Sequence, residues 1–164
     1  MKTLLGLAAF AAVASIAVST HAQAPAAPAA PPLSYGAPIT LDQAKTVMAA
    51  AEAEARRNGA NVSIAIVEPS GTLVMFERMT DANYSSADGA PLKARSAAMW
   101  KRSTATWIEP AANSAAVATQ PNAIASNGGE PILAGGKIIG AIGVSGNGQF
   151  EGPIAKMAGV MLNR

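Results

Sequence analysis

The stretch Gly128–Gly146, GGEPILAGGKIIGAIGVSG, restricts the fold more than any other part of the chain. Ile132 to Ala134 is a short apolar run, Gly135-Gly136 a two-residue turn, and Lys137 to Ser145 a longer strand. A Gly-Gly pair suits the tight type I′ and II′ turns, because glycine reaches positive φ without steric cost. The spacing therefore predicts a β-hairpin. Alternation along its second strand puts Ile138, Gly140, Ile142 and Val144 on one face, and Ile139, Ala141, Gly143 and Ser145 on the other. The second face is nearly bare of large side chains. That predicts another backbone, a helix or a ligand packed close against it.

The chain opens with a basic Lys2, an apolar run from Leu4 to Val18, and small residues after it. This is the layout of a secretory signal peptide. The run is shorter than the roughly 20 residues that a membrane span needs. Cleavage is expected after Ala22, so residues 1–22 are read as a signal peptide and the product as periplasmic or secreted. Removal takes away His21, the single His of the sequence, and there is no Cys. The mature domain therefore has no disulfide and must be held by its core. Residues 23–38 alternate Ala and Pro and read as an extended tether. The domain proper is placed at 39–164.

Within it, Thr40 and Gln43 fit a capping box, and Leu41, Ala44, Val47, Met48, Ala51 and Ala55 form a stripe at helical spacing. A helix is predicted over 41–58, stopped by Asn58-Gly59. Asn61–Val67 and Thr72–Glu77 read as an antiparallel hairpin around the turn Glu68-Pro69-Ser70-Gly71, with Val74 and Phe76 sharing a face. A short strand is predicted around Asn83–Ser86. Pro91 is read as a first-turn proline of a helix from Leu92 to about Ser103. A short helix over 109–118, the glycine hairpin and a last helix from Pro153 complete the order. Strands in hairpins and helices in separate runs predict an α+β domain with an antiparallel sheet of about five strands.

Charge is nearly balanced, with 12 Lys and Arg against 10 Asp and Glu. No basic stripe points to nucleic acid, and nothing argues for membrane adsorption. Without His or Cys in the mature chain there is no Ser-His-Asp or Cys-His arrangement and no ordinary zinc site. Four features remain as candidates for a ligand site. The cations Lys93, Arg95, Lys101 and Arg102 can meet ligand carboxylates or form a solvated helix face. Trp100 and Trp107 can stack on a flat ligand or pack in the core. Tyr84 is a phenolate ligand to ferric iron or an ordinary loop residue. Met75, Met79 and Met99 offer thioethers but suit core filling.

From ITLDQAKTVMAAAEAEARRNGANVSIAIVEPSGTLVMFERM through PLKARSAAMWKRST to the glycine hairpin, the sequence resembles the GlcG/HbpS-like family of small heme-binding (heme-degrading domain) proteins. The hairpin block GGxPIxxxGxxIGAIGVSG is the most specific part. The resemblance implies a profilin-like layered α+β fold, homo-oligomers and, in several members, bound heme. Glu68 stands where the family usually carries Asp, and Gln149-Phe150-Glu151 replaces its usual acidic run. With no His, a heme site would need a Tyr, Met, Thr or hydroxide ligand. The first reading is thus an exported, non-enzymatic binder of a small ligand, heme above all. The alternative is an oligomeric accessory or scaffold subunit for an exported dehydrogenase or sensor, without heme. An enzyme is the weakest reading, because Glu68, Glu77 and Glu130 show no reason to pair.

Overall fold

The computed structural model describes residues 32–146 and 148–163. The expected signal peptide, with His21, and the tether up to residue 31 lie outside the described residues. Helix α1, Leu41–Arg57, starts where Thr40 and Gln43 satisfy each other's backbone: the Gln43 N–H donates to Thr40 Oγ1 at 3.3 Å, and the Thr40 N–H to Gln43 Oε1 at 2.9 Å. It stops at Asn58, with Gly59 at φ 61°. Ala44, Val47, Met48, Ala51 and Ala55 are buried as the stripe requires. Leu41 alone of that stripe is exposed, at the first position of the helix.

Strands β1 (Ser63–Val67), β2 (Leu73–Arg78), β3 (Gly129–Ala134) and β4 (Lys137–Ser145) form one antiparallel sheet in the order β2-β1-β4-β3. It has four strands, fewer than the five expected, because residues 83–86 do not add one. The Asn83 carboxamide oxygen instead accepts from the Ser86 N–H at 2.8 Å and from Ser85 Oγ at 2.9 Å. This local closure diverts the backbone from a ladder and opens α2, Ser86–Trp100. The helix therefore starts six residues before Leu92, and Pro91 lies inside it rather than in its first turn. Two short helices, α3 (Ile108–Asn113) and α4 (Ala115–Ala118), follow a 3₁₀ turn at Thr104–Trp107. Helix α5 spans Glu151–Val160.

The layers follow from the sheet's two faces. On one, Ile64, Ile66, Ile132, Ile142, Val144 and Ile154 join Val47 and Met48 beneath α1 and α5. On the other, Ala65, Val67 and Ala141 meet Ala90, Ala94, Ala97 and Ala98 of α2. This is the close partner that the bare strand face foretold. Two β-bulges alter the expected alternation. Ile139 has no partner on β3 and joins Ile142 and Val144 in the core that α1 covers, although it was expected opposite them. Val74 is the extra residue of β2, so it packs beside Met75, while its expected companion Phe76 packs towards α2. Ser34 to Ile39, around the expected end of the tether, hydrogen-bonds to the start of β4: the Gly36 N–H donates to Ile138 O at 2.8 Å and the Ile39 N–H to Ile139 O at 2.7 Å. The hairpin turn has both glycines at positive φ, 54° and 72°, as a type I′ turn requires.

At Gly143 the approach of α2 reaches its limit: a Cβ there would stand 2.0 Å from Ala90 O and 2.6 Å from the Ala94 nitrogen. Both are backbone atoms, so relief requires moving the helix. Gly143→Ala is expected to cost at least the ~1–3 kcal/mol typical of overpacking, read as a lowered urea midpoint. Gly135→Ala, with open space around it but φ 54°, should cost about 1–2 kcal/mol through backbone strain alone. An unchanged midpoint for Gly143→Ala would contradict the helix–sheet contact.

Candidate functional site

The cations proposed from the sequence separate into three environments. Lys93 is not on a solvated helix face. Its position on the sheet side of α2 buries it, and its ammonium donates to Glu151 Oε2 at 2.7 Å and to Val144 O at 3.3 Å. Glu151 Oε1 accepts from the Gly146 N–H at 2.5 Å and the Gly148 N–H at 3.3 Å. Both side chains are about 8% exposed. The pair clamps α2 to the start of α5, and the buried Lys93 spends its charge on Glu151 rather than on a ligand.

Arg95 is also committed. Its Nε donates to Asn122 Oδ1 at 3.2 Å and its Nη1 reaches Gly71 O at 3.5 Å, tying the β1–β2 turn and the loop before β3 to α2. Tyr84 is 85% exposed and stands apart from the candidate cations and indoles. It borders a cleft of about 580 Å3 with Met79, Asp81 and Asn83, and its ring lies 5.0 Å from the Arg78 guanidinium.

Lys101 and Arg102 are brought together with new partners. Helix α2 ends because Lys101 adopts φ 55°, a left-handed cap. That reversal throws both cations off the helix end. The Lys101 ammonium lies 4.2 Å from the Tyr35 ring centroid. The Arg102 guanidinium stacks 3.7 Å from Trp107 and 5.7 Å from Trp100. The two indoles meet edge to face at 4.9 Å and 78°. Trp100 is thus occupied as a shelf for Arg102 and donates its N–H to Pro121 O at 3.1 Å. Among the described residues, the buried Trp107 N–H has no hydrogen-bond partner.

Beside this cap runs an open groove made of two adjoining cavities, about 290 and 550 Å3, which share Ser103, Glu130 and Lys156. Leu33, Pro131, Leu133 and Val160 give it apolar walls, and Lys101, Arg102 and Lys156 carry its positive charge. Ser103 Oγ donates to Glu130 Oε1 at 2.5 Å. Burial pushes the Glu130 carboxyl up from its ordinary value; the Ser103 hydrogen bond and the nearby Lys156 charge pull the other way. Three cations over apolar walls can hold a flat, apolar molecule that carries carboxylates. Lys101, Arg102 and Lys156 would meet the propionates of a heme and the apolar walls its ring, while the lining, among the described residues, includes no Tyr, Met or Thr to ligate its iron. Among the described residues no group of His, Cys, Asp or Glu could hold a bare metal ion, and no helix is long and apolar enough to cross a membrane.

Sequence reasoning missed Lys156, Ser103 and the apolar walls. Lys156 carried a signal: it is the single cation among residues 151–160, where Glu151 is the other charged residue. Ser103 carried none, since its partner lies 27 residues away.

Fold and groove define a small α+β sandwich with an open, cation-rimmed cleft at the β3 edge of its sheet. The chain belongs to the HbpS-like family: the family model described as "Haem degrading protein HbpS-like" matches residues 39–158. It is 36% identical to protein GlcG of Escherichia coli K12 over 108 residues, covering 65% of this chain and 81% of GlcG. Its fold matches a double mutant of Streptomyces reticuli HbpS with a TM-score of 0.71 at 28% identity, over 87% of this chain and 99% of that one. It also matches the fold of PduOC, solved as a heme complex, with a TM-score of 0.66 at 24% identity, over 77% of this chain and 99% of that one.

Removing one member of a buried ion pair strands the other. Lys93→Ala is therefore expected to cost about 3–5 kcal/mol of unfolding free energy, measured by urea denaturation near neutral pH. A loss below about 1 kcal/mol, the range of an exposed pair, would contradict the clamp.

Proposed function

We propose that this chain is an exported protein that binds a flat, carboxylate-bearing ligand in the groove between the end of α2, β3 and α5, and that the ligand is heme. The observation that carries this reading is the convergence of Lys101, Arg102 and Lys156 on apolar walls. The family's description as heme-degrading and HbpS-like supports it, and the signal-like N-terminus supports export to the periplasm or beyond. Bound heme supplies an intense Soret absorbance and a redox-active iron. The chain's own residues hold the propionates with charge-assisted hydrogen bonds and keep water off one ring face.

A hemin titration of the purified protein tests this. A saturable Soret shift near one equivalent is expected. The Lys101→Ala/Lys156→Ala double variant should bind about a hundredfold more weakly or worse, since charged hydrogen bonds contribute roughly 1.5–3 kcal/mol each. Tyr84→Phe, in the separate cleft, should bind as wild type. Loss of the shift in Tyr84→Phe alone would move the site to that cleft, and an unsaturable response would sink the reading.

A second reading, an oligomeric accessory subunit, is favoured by one feature. Leu92 and Met99 lie two turns apart on α2 and are exposed, and Leu73 is exposed on the edge strand β2. On this reading the protein self-associates through α2. Sedimentation at tens of micromolar should show more than one chain per particle, and Leu92→Glu should reduce it to monomer. A monomer in the wild type would remove this reading.

A further inference from the structure

Among the described residues lining the two cavities, Glu130 is the single acid against three cations. It sits half-buried on β3, opposite Ile142 of β4. Helix α5 crosses so closely that a Cβ on Gly159 would stand 2.6 Å from Pro131 O and 3.4 Å from Glu130 Cβ. The groups facing it are few. Lys156 comes from α5, Lys101 and Arg102 from the end of α2, and the Ser103 hydroxyl from the turn that follows. Lys93 and Glu151 lie by Gly128 and Gly129, one step along β3, and satisfy each other.

Such a carboxylate opposes the ligand that the groove otherwise favours. Ionised, it places negative charge beside an incoming anion and competes for Lys156. Neutral, it leaves three cations unopposed and keeps a hydrogen bond with Ser103. Resting on the reading of this groove as an anionic-ligand site, we infer that Glu130 couples ligand binding to the uptake of one proton from solvent. The proton passes from water to a Glu130 carboxylate oxygen, and no other bond changes.

Burial acts in the same sense, because it raises the carboxyl above its ordinary value of 4.5. The neutral fraction grows as pH falls, so affinity rises on acidification and falls towards neutrality. The Ser103 donor favours the ionised form and holds the transition lower than burial alone would set it.

The probe is 8-anilinonaphthalene-1-sulfonate, an aromatic anion whose sulfonate stays ionised throughout. Fluorescence titrations of the full chain would run from about pH 5 to about pH 8, with circular dichroism to confirm folding. Wild-type affinity should rise several-fold on acidification, within about tenfold per pH unit, the limit for one linked proton. Glu130→Gln should abolish the slope and bind at the top of the range as tightly as wild type does at the bottom. Ser103→Ala should move the midpoint to higher pH, and Lys156→Ala should weaken binding at every pH. A flat wild-type profile, or a slope that survives in Glu130→Gln, overturns the proton link while leaving the groove as a binding site. No saturable binding at any pH, or binding indifferent to Lys156→Ala, removes the groove reading as well.

Discussion

Everything in this domain depends on how closely α2 lies on the sheet. Packing helix backbone almost against strand backbone requires that neither surface carry a large side chain. The four buried alanines of α2 and the pair Ala141 and Gly143 of β4 meet that requirement. The contact resists compression, since the atoms that would have to yield are main-chain oxygens and nitrogens. It gives the sheet a covered second face, so β1 and most of β4 are buried on both sides. It also sets the height and direction of every residue that α2 carries.

The fate of the cations follows from that geometry. Lys93 faces the sheet, where an ammonium is tolerated only with full compensation, and Glu151 and the Val144 carbonyl provide it. Arg95 lies on the flank and fastens two loops. Lys101 and Arg102 come after the helix has ended, so no neighbouring element sequesters them, and they rim the groove. Two cations in the helix and two just beyond it thus serve a buried clamp, a loop tether and a ligand rim.

The groove is built differently from the rest of the molecule. Its walls come from the edge strand β3, the end of α2 and α5, where, among the described residues, the sheet has no further strand to cover them. It therefore stays open where the core is closed. Its polar groups are not fully compensated either: Glu130 shares one hydroxyl with Ser103 and faces more positive charge than it can neutralise. Residual charge of that kind costs stability in a core but is useful where a ligand of opposite sign completes it.

The sequence by itself determined the elements and the order in which they occur. Period-2 and helical patterns, the Thr40 cap, the Gly135-Gly136 turn and the bare face of β4 are local properties, readable from neighbours a few residues apart. The same locality explains the misjudgements. Asn83 closes on Ser86 instead of extending, and Pro91 is accommodated within a helix that begins earlier than its pattern shows. Bulges at Val74 and Ile139 are invisible until the strands are paired. Tertiary structure alone decided the roles of the charged residues. Lys93 and Glu151 are 58 residues apart, Ser103 and Glu130 are 27 apart, and no spacing rule links them. An ionisable side chain is given its work by what surrounds it, and burial, counter-charge and exposure exist only once the layers have closed.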